Sequence, residues 1–438
     1  MAPADRVVPP GKALMRYSPL MRTPGGTALT SVNRGRLKRL RDACLVGGMA
    51  LLPFSTSPEV GGVVAFGLPL LCFAAFGYLL ELLRFGWRLT PGSLFGALYV
   101  VVILGFSVLA PDPVQSFARS VPNLISFAIF AGLIHELERG SRTTTEVANL
   151  LVLSTFILAA YYCLNFALAA MSHGLGEVLV SRVVGGLAGL PWGASNTVAA
   201  VLVFGVASCL LLIQATSRRA YLYALGLLCM GVALTFSRGG AVVVALVIAL
   251  GSLSLPWRHK SLLVIGTLIL TILAAFIWSS LSIDNTLDEL ISDRIETEGV
   301  SAFGGRLEIW QERIELIAAS PLEWVGYYGS LLAFDGVSAH NFLLTTWIET
   351  GPVGVFAALT LLGWPLVRLL WRALSRRNPR QKEAFLLLVG LVGVLLNLMV
   401  EDPNFTQPYI VCFWLYLAMC YGEAERARRG GCANGRSH

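Results

Sequence analysis

The chain has 438 residues, of which 55% are hydrophobic and only 13% charged, with a formal net charge of +7. A soluble domain carries roughly 25% charged residues, so this composition excludes a soluble enzyme. The basic residues sit in tails and short connections between apolar runs, which excludes a nucleic-acid surface as well.

Apolar runs of about 18 residues or more, enough to cross a ~30 Å hydrocarbon layer, recur along the chain. They predict an all-α polytopic membrane protein. Residues 1–41 are polar and basic and end in Arg34-Gly35-Arg36-Leu37-Lys38-Arg39-Leu40-Arg41. No apolar core lies within them, so a cleavable signal peptide is not expected. Spans are expected near 42–56, 59–82, 92–110, 121–138, 146–171, 194–214, 220–236, 240–255, 260–281, 341–371, 383–400 and 406–422, about twelve in all.

The basic cluster before the first span should stay cytoplasmic. Connections on that side then hold Arg84 and Arg88, Arg139 and Arg142, Arg218 and Arg219, Arg258 and Lys260, and Arg372, Arg376, Arg377, Arg380 and Lys382. The opposite side holds only Arg119, Arg182, Arg238, Arg294, Arg306 and Arg313. This asymmetry places both termini in the cytoplasm. The chain then divides into a basic tail (1–41), nine spans (42–281), one large periplasmic helical loop (282–340), three spans (341–422) and a second basic tail (423–438).

The large loop is acidic before Gly304. After it, Leu307, Trp310, Ile314 and Ile317 recur at helical spacing opposite Glu308, Glu312 and Glu315. That spacing predicts an amphipathic helix on or near the membrane until Pro321 stops it. The tenth span is too long, and Gly351-Pro352 interrupts it. A short helix over 339–350 is expected, with the true span following from Val353.

Arginine at the membrane surface opposite the basic loops suggests a binding role, set against snorkelling to lipid headgroups as the plainer explanation for Arg182. In Phe236-Ser237-Arg238-Gly239-Gly240, the serine is positioned to cap a helix whose first amides are left bare by glycine. Free amides, the positive helix end and a guanidinium together suit a phosphate. The plainer alternative for this stretch is a small-residue packing contact. Arg306 follows Gly304-Gly305 and opens the amphipathic helix in the same way; the alternative is a salt bridge with the acidic segment before it.

Ser338 is a plausible cap that would put His340 in the first turn of the short helix, as a proton acceptor on the same side as the arginines. Asn341, Asn196 and Arg119 are secondary candidates. No Asp-x-Asp pair, metalloprotease motif, P-loop or serine elbow is present, so the expected clamp is arginine, with neither metal nor cofactor. Eight cysteines follow no disulfide or zinc spacing and read as apolar packing residues.

Taken in order, Phe236-Ser237-Arg238-Gly239-Gly240, Gly305-Arg306-Leu307-Glu308-Ile309-Trp310, Pro321 with Gly326, and His340-Asn341 followed by Gly351 resemble the O-antigen ligase and polymerase superfamily, over roughly residues 180–370. Arg182, Gly186 and Asn196 look like that family's preceding outer loop, and His340 with Arg306 looks more like the ligase branch. The resemblance implies inverting, metal-independent transfer of a polysaccharide from undecaprenyl diphosphate to a sugar of lipid A-core. It places the reaction on the periplasmic face of the Gram-negative inner membrane. His340 would be the general base, and Arg182, Arg238 and Arg306 the diphosphate clamp. A polymerase of the same fold is the nearest alternative. A transporter of the lipid-linked glycan is the alternative from another class, although twelve spans here show no internal repeat; a non-enzymatic scaffold leaves the outward arginines unexplained.

Overall fold

The computed structural model describes residues 28–54, 67–85, 89–178, 195–235, 237–261, 306–334, 339–375, 378–400 and 406–433. These form helices α1 (Ala28–Leu51), α2 (Gly67–Phe85), α3 (Pro91–Val108), α4 (Pro113–Arg139), α5 (Thr144–His173), α6 (Ser195–Thr216), α7 (Ala220–Leu234) and α8 (Arg238–Ser252). They continue with α9 (Arg306–Ala319), α10 (Gly329–Ala333), α11 (Phe342–Leu374), α12 (Gln381–Val400) and α13 (Gln407–Ala433). No strand occurs among the described residues.

Seven of these helices are long and apolar enough to cross a membrane: α2 to α6, α11 and α12. The other expected spans fall short for separate reasons. Helices α7 and α8 are apolar but only 15 residues each. Helix α1 begins at Ala28, so half of it is the basic stretch expected as a tail. Helix α13 runs beyond its apolar part into Glu423-Ala424-Glu425-Arg426. The ninth expected span lies largely outside the described residues, as do 282–305 of the large loop.

The chain forms two units, residues 1–40 and 41–438. In the second, α13 is the central post: every residue from Tyr409 to Tyr421 is buried. A helix apolar all round is stable only when surrounded, and α4, α5, α6, α11 and α12 pack on it. Close approach depends on missing side chains, as membrane helix packing generally does. A Cβ at Gly390 of α12 would lie 1.9 Å from the Tyr416 hydroxyl of α13, which donates to the Leu387 carbonyl at 3.1 Å.

One end of this bundle is held by charge. Arg41 pairs with Glu136 (2.7 Å) and with Glu81. Arg142 pairs with Glu136 (2.8 Å) and Asp42 (2.6 Å). Buried charges survive only when paired this thoroughly, and the network joins α1, α2, α4 and the start of α5.

Candidate active site

At the other end of the bundle, α3 finishes, α4, α6, α8 and α11 begin, and α12 finishes. The expected site residues that are described lie here; Arg182, with Gly186, lies outside the described residues. The region is built around the break in α11. Gly351 has φ 64 and ψ −165 inside an otherwise continuous helix. Its left-handed φ suits glycine, and the next residue is proline, which cannot donate to the carbonyl four residues back. That carbonyl belongs to Ile348, and it accepts the Val325 amide at 3.0 Å instead. A buried acceptor orphaned by proline is thereby satisfied from another segment.

Val325 belongs to a connector, residues 320–334, that is stapled to the half-helix Phe342–Thr350. Trp347 Nε1 donates to the Pro321 carbonyl (3.1 Å). Ser330 Oγ donates to the buried Glu349 carboxylate (2.6 Å). Gly326 (φ 82) lies so close to the end of α3 that a Cβ would be 2.4 Å from Ala110 Cα. Beside it, the Tyr327 amide donates to the Phe106 carbonyl (3.2 Å), and the Tyr327 carbonyl accepts from Ser116 Oγ (2.6 Å). Arg119, in the second turn of α4, places its guanidinium 5.0 Å from the centre of the Tyr328 ring.

The half-helix starts three residues later than the sequence suggests. Asn341, not Ser338, is the cap: its Oδ1 accepts the amides of Leu343 (3.0 Å) and Leu344 (3.1 Å). His340 therefore precedes the helix instead of lying in its first turn. It adopts φ 47, a conformation sparsely populated by residues with a Cβ and kept only where the surroundings enforce it. Both neighbours do so. The Ala339 carbonyl accepts Trp310 Nε1 at 2.9 Å, and Asn341 Nδ2 donates to the Met399 carbonyl of α12 at 3.1 Å. The half-buried His340 turn is pinned from both sides.

Arg306 is the first residue of α9, one turn before Trp310, so the same indole that fixes Ala339 ties the Arg306 helix to the His340 turn. Helix α9 turns one charged residue toward the protein. Arg313 is its one buried residue, 3.5 Å beneath the Phe334 ring, while Leu307 and Ile314 are about half exposed. Those two thus face away from the protein, as in a helix lying at a lipid interface, while Trp310 and Ile317 of the same stripe are half-buried.

Arg238 is the exposed first residue of α8. Ser237 caps this helix as expected, its Oγ accepting the Gly240 amide at 3.2 Å. A Cβ on Gly239 would lie 3.5 Å from Val400 Cγ2, the last residue of α12. A Cβ on Gly240 would lie 2.5 Å from Ala199 Cβ, one turn into α6 from the half-buried Asn196. The Arg238 and His340 turns therefore meet adjacent residues at the end of α12, Val400 and Met399 respectively.

Residues 223–359 match the family model for O-antigen ligase, Wzy_C. The match supports a place in the O-antigen ligase superfamily, and it covers about a third of the chain. It runs from α7 through the break in α11, so Arg238, Arg306, His340 and Asn341 fall inside it, with the connector between. Arg119 and Asn196 fall outside. No curated protein matches the chain. An O-antigen ligase domain supports a ligase-like glycosyltransferase function in a multi-pass membrane protein.

Three residues that the sequence did not single out for function hold this region together: Arg313, Glu349 and Tyr327. Each acts through a partner distant in sequence or on another element, so no local pattern marks it.

Proposed function

We propose that the protein is an O-antigen ligase: it moves a polysaccharide from undecaprenyl diphosphate to a sugar hydroxyl of lipid A-core, on the periplasmic face of the inner membrane. The observation that carries this reading is the convergence of the Arg238 and His340 turns on Met399 and Val400. It brings the start of α8 and the pinned histidine to one helix end, inside the matched segment.

In this mechanism the donor diphosphate lies against Arg238 and Arg306, with Arg182 completing the clamp. The acceptor hydroxyl gives its proton to the His340 imidazole, and its oxygen bonds to the anomeric carbon from the face opposite the diphosphate. The carbon–oxygen bond to the diphosphate breaks, its electron pair leaves with that oxygen, and the configuration inverts. Charge grows on the leaving group as the bond breaks, so fixed guanidinium groups stabilise the transition state more than the ground state. Arginine supplies this charge in place of a metal ion. General-base help from His340 contributes about 10²–10⁴-fold.

The orientation belongs to the same reading: twelve spans, both termini cytoplasmic and the 282–340 loop periplasmic. It puts the starts of α4, α6, α8 and α11 on the outer face. His340→Ala and Arg238→Ala, expressed at normal level in cells lacking the native enzyme, should leave lipid A-core without polysaccharide. Full-length glycan on the core with either variant would overturn the proposal.

A further inference from the structure

The opposite end of the bundle holds a cavity that glycan transfer does not use. It measures about 750 Å³ and lies where α4 ends, α3 and α5 begin and α13 leaves the core. A second cavity of about 350 Å³ shares Thr145, Arg380 and Glu383 with it. Helix α3, 18 residues long, separates this end from the Arg238–His340 end by about 27 Å at ~1.5 Å per residue.

Four arginines line the larger cavity: Arg139, Arg142, Arg380 and Arg426. Arg142 is committed to Glu136 and Asp42. Arg380 is different. Its side chain is half exposed, and it lies 3.7 Å from both Glu383 and Glu423, beyond hydrogen-bond reach. Arg426 donates Nε to the Leu137 carbonyl (3.2 Å) but stands 3.8 Å from Glu423. Of the lining carboxylates, Glu425 accepts the Gly92 amide at 3.1 Å. The guanidinium groups of Arg380 and Arg426 therefore keep donors that the protein does not saturate.

Thr144 is the second, independent sign. It lines the cavity, is 2% exposed, and its hydroxyl has no hydrogen-bond partner. Buried hydroxyls are ordinarily satisfied. Thr144 is also the first residue of α5, at a positive helix end that Thr143 Oγ1 and the Glu146 carboxylate cap in part. A tetrahedral oxyanion can accept from a hydroxyl, an amide and a guanidinium at once. Leu89, Pro91 and Leu137 add an apolar wall beside these donors.

We propose that this cavity binds a phosphate group, carried by an anionic phospholipid or free in the aqueous phase, against Thr144, Arg380 and Arg426. The apolar wall and the volume, larger than one phosphate needs, suit the lipid-borne form; basic pockets between membrane helices commonly hold such headgroups. The site does not depend on the transfer reaction, so either can fail alone.

The test uses the full chain in nanodiscs of phosphatidylcholine alone, of phosphatidylcholine with cardiolipin, and of phosphatidylcholine with inorganic phosphate in the buffer. Retained lipid is read by native mass spectrometry, and Tm in each. Cardiolipin should be retained above phosphatidylcholine and raise Tm, with retention falling about tenfold, one factor of ten per ~1.4 kcal/mol, in Arg380→Gln/Arg426→Gln. Thr144→Val, which leaves every charge in place, should fall in the same direction by less. A Tm rise with inorganic phosphate in phosphatidylcholine alone, lost in the same variants, would identify the free anion as the ligand. No retention and no Tm rise with either probe, or equal effects in the parent and all variants, would overturn the proposal.

Discussion

His340 shows how little of a site one residue type reveals. As a histidine beside an apolar helix it is an ordinary feature; what distinguishes it is a left-handed φ enforced by Trp310 on one side and Asn341 on the other. The cap on α8 was legible because Ser237 and Gly240 lie within one turn. The cap on α11 was not, because Ser338 and Asn341 are both good capping residues and only the Met399 carbonyl of another helix favours the second. Asn341→Ala would lose the one oxygen that accepts two backbone amides, and the tie to α12. A lost cap alone costs about 1 kcal/mol, so the variant should fold while losing transfer through kcat more than KM, because the base is displaced and the donor clamp is not. Unchanged kcat in purified Asn341→Ala would show that pinning His340 is not its role. Trp310→Phe keeps an aromatic ring, though a smaller one, and removes the N–H to Ala339, and should lower kcat in the same way.

At the scale of elements, the break in α11 and the connector explain each other. Gly351-Pro352 was legible as an interruption because proline's missing donor is a local fact. That Val325 would repair the orphaned Ile348 carbonyl is a tertiary fact, and the sequence holds no sign of it. Gly326 has no freedom either: its φ of 82 and the Ala110 backbone beneath it both exclude a side chain. Gly326→Val should therefore lower Tm and abolish transfer together, and a stable, active Gly326→Val protein would contradict the packing described here. Helix α9 teaches the opposite lesson. Its apolar spacing was legible, but spacing does not say which polar residue will be buried, and that residue is Arg313. At the other end of the bundle, Glu136→Ala would leave Arg41 and Arg142 sharing Asp42 alone, without the more deeply buried of their two common carboxylates. Breaking a buried pair typically costs about 3–5 kcal/mol, so Tm in detergent should fall sharply; an unchanged Tm would mean that the network contributes little.

For the whole molecule, helical class was legible from apolar length. Span boundaries were less so, because α7 and α8 are short and α1 and α13 extend beyond their apolar parts. Buried charge also makes the bundle sensitive to pH. Glu423, just past the apolar part of α13, is fully buried, and burial, reinforced by Glu383, pushes its carboxyl up to about 7, against the pull of Arg372, Arg380 and Arg426. The native state then holds this proton more tightly than the unfolded chain, whose carboxyl titrates near 4.5. Its contribution to stability is full below about pH 4.5 and is lost as pH rises through about 7. Tm of Glu423→Gln relative to the parent should therefore rise across that window, and a constant difference between them would contradict the burial effect. The central claim concerns the other end of the bundle, where the Arg238 and His340 turns meet α12. Purified protein, given lipid-linked glycan, lipid A-core and a chelator, should form the glycosidic bond, and His340→Ala should not. Product from His340→Ala at the parent rate, or none from the parent chain, would contradict the account.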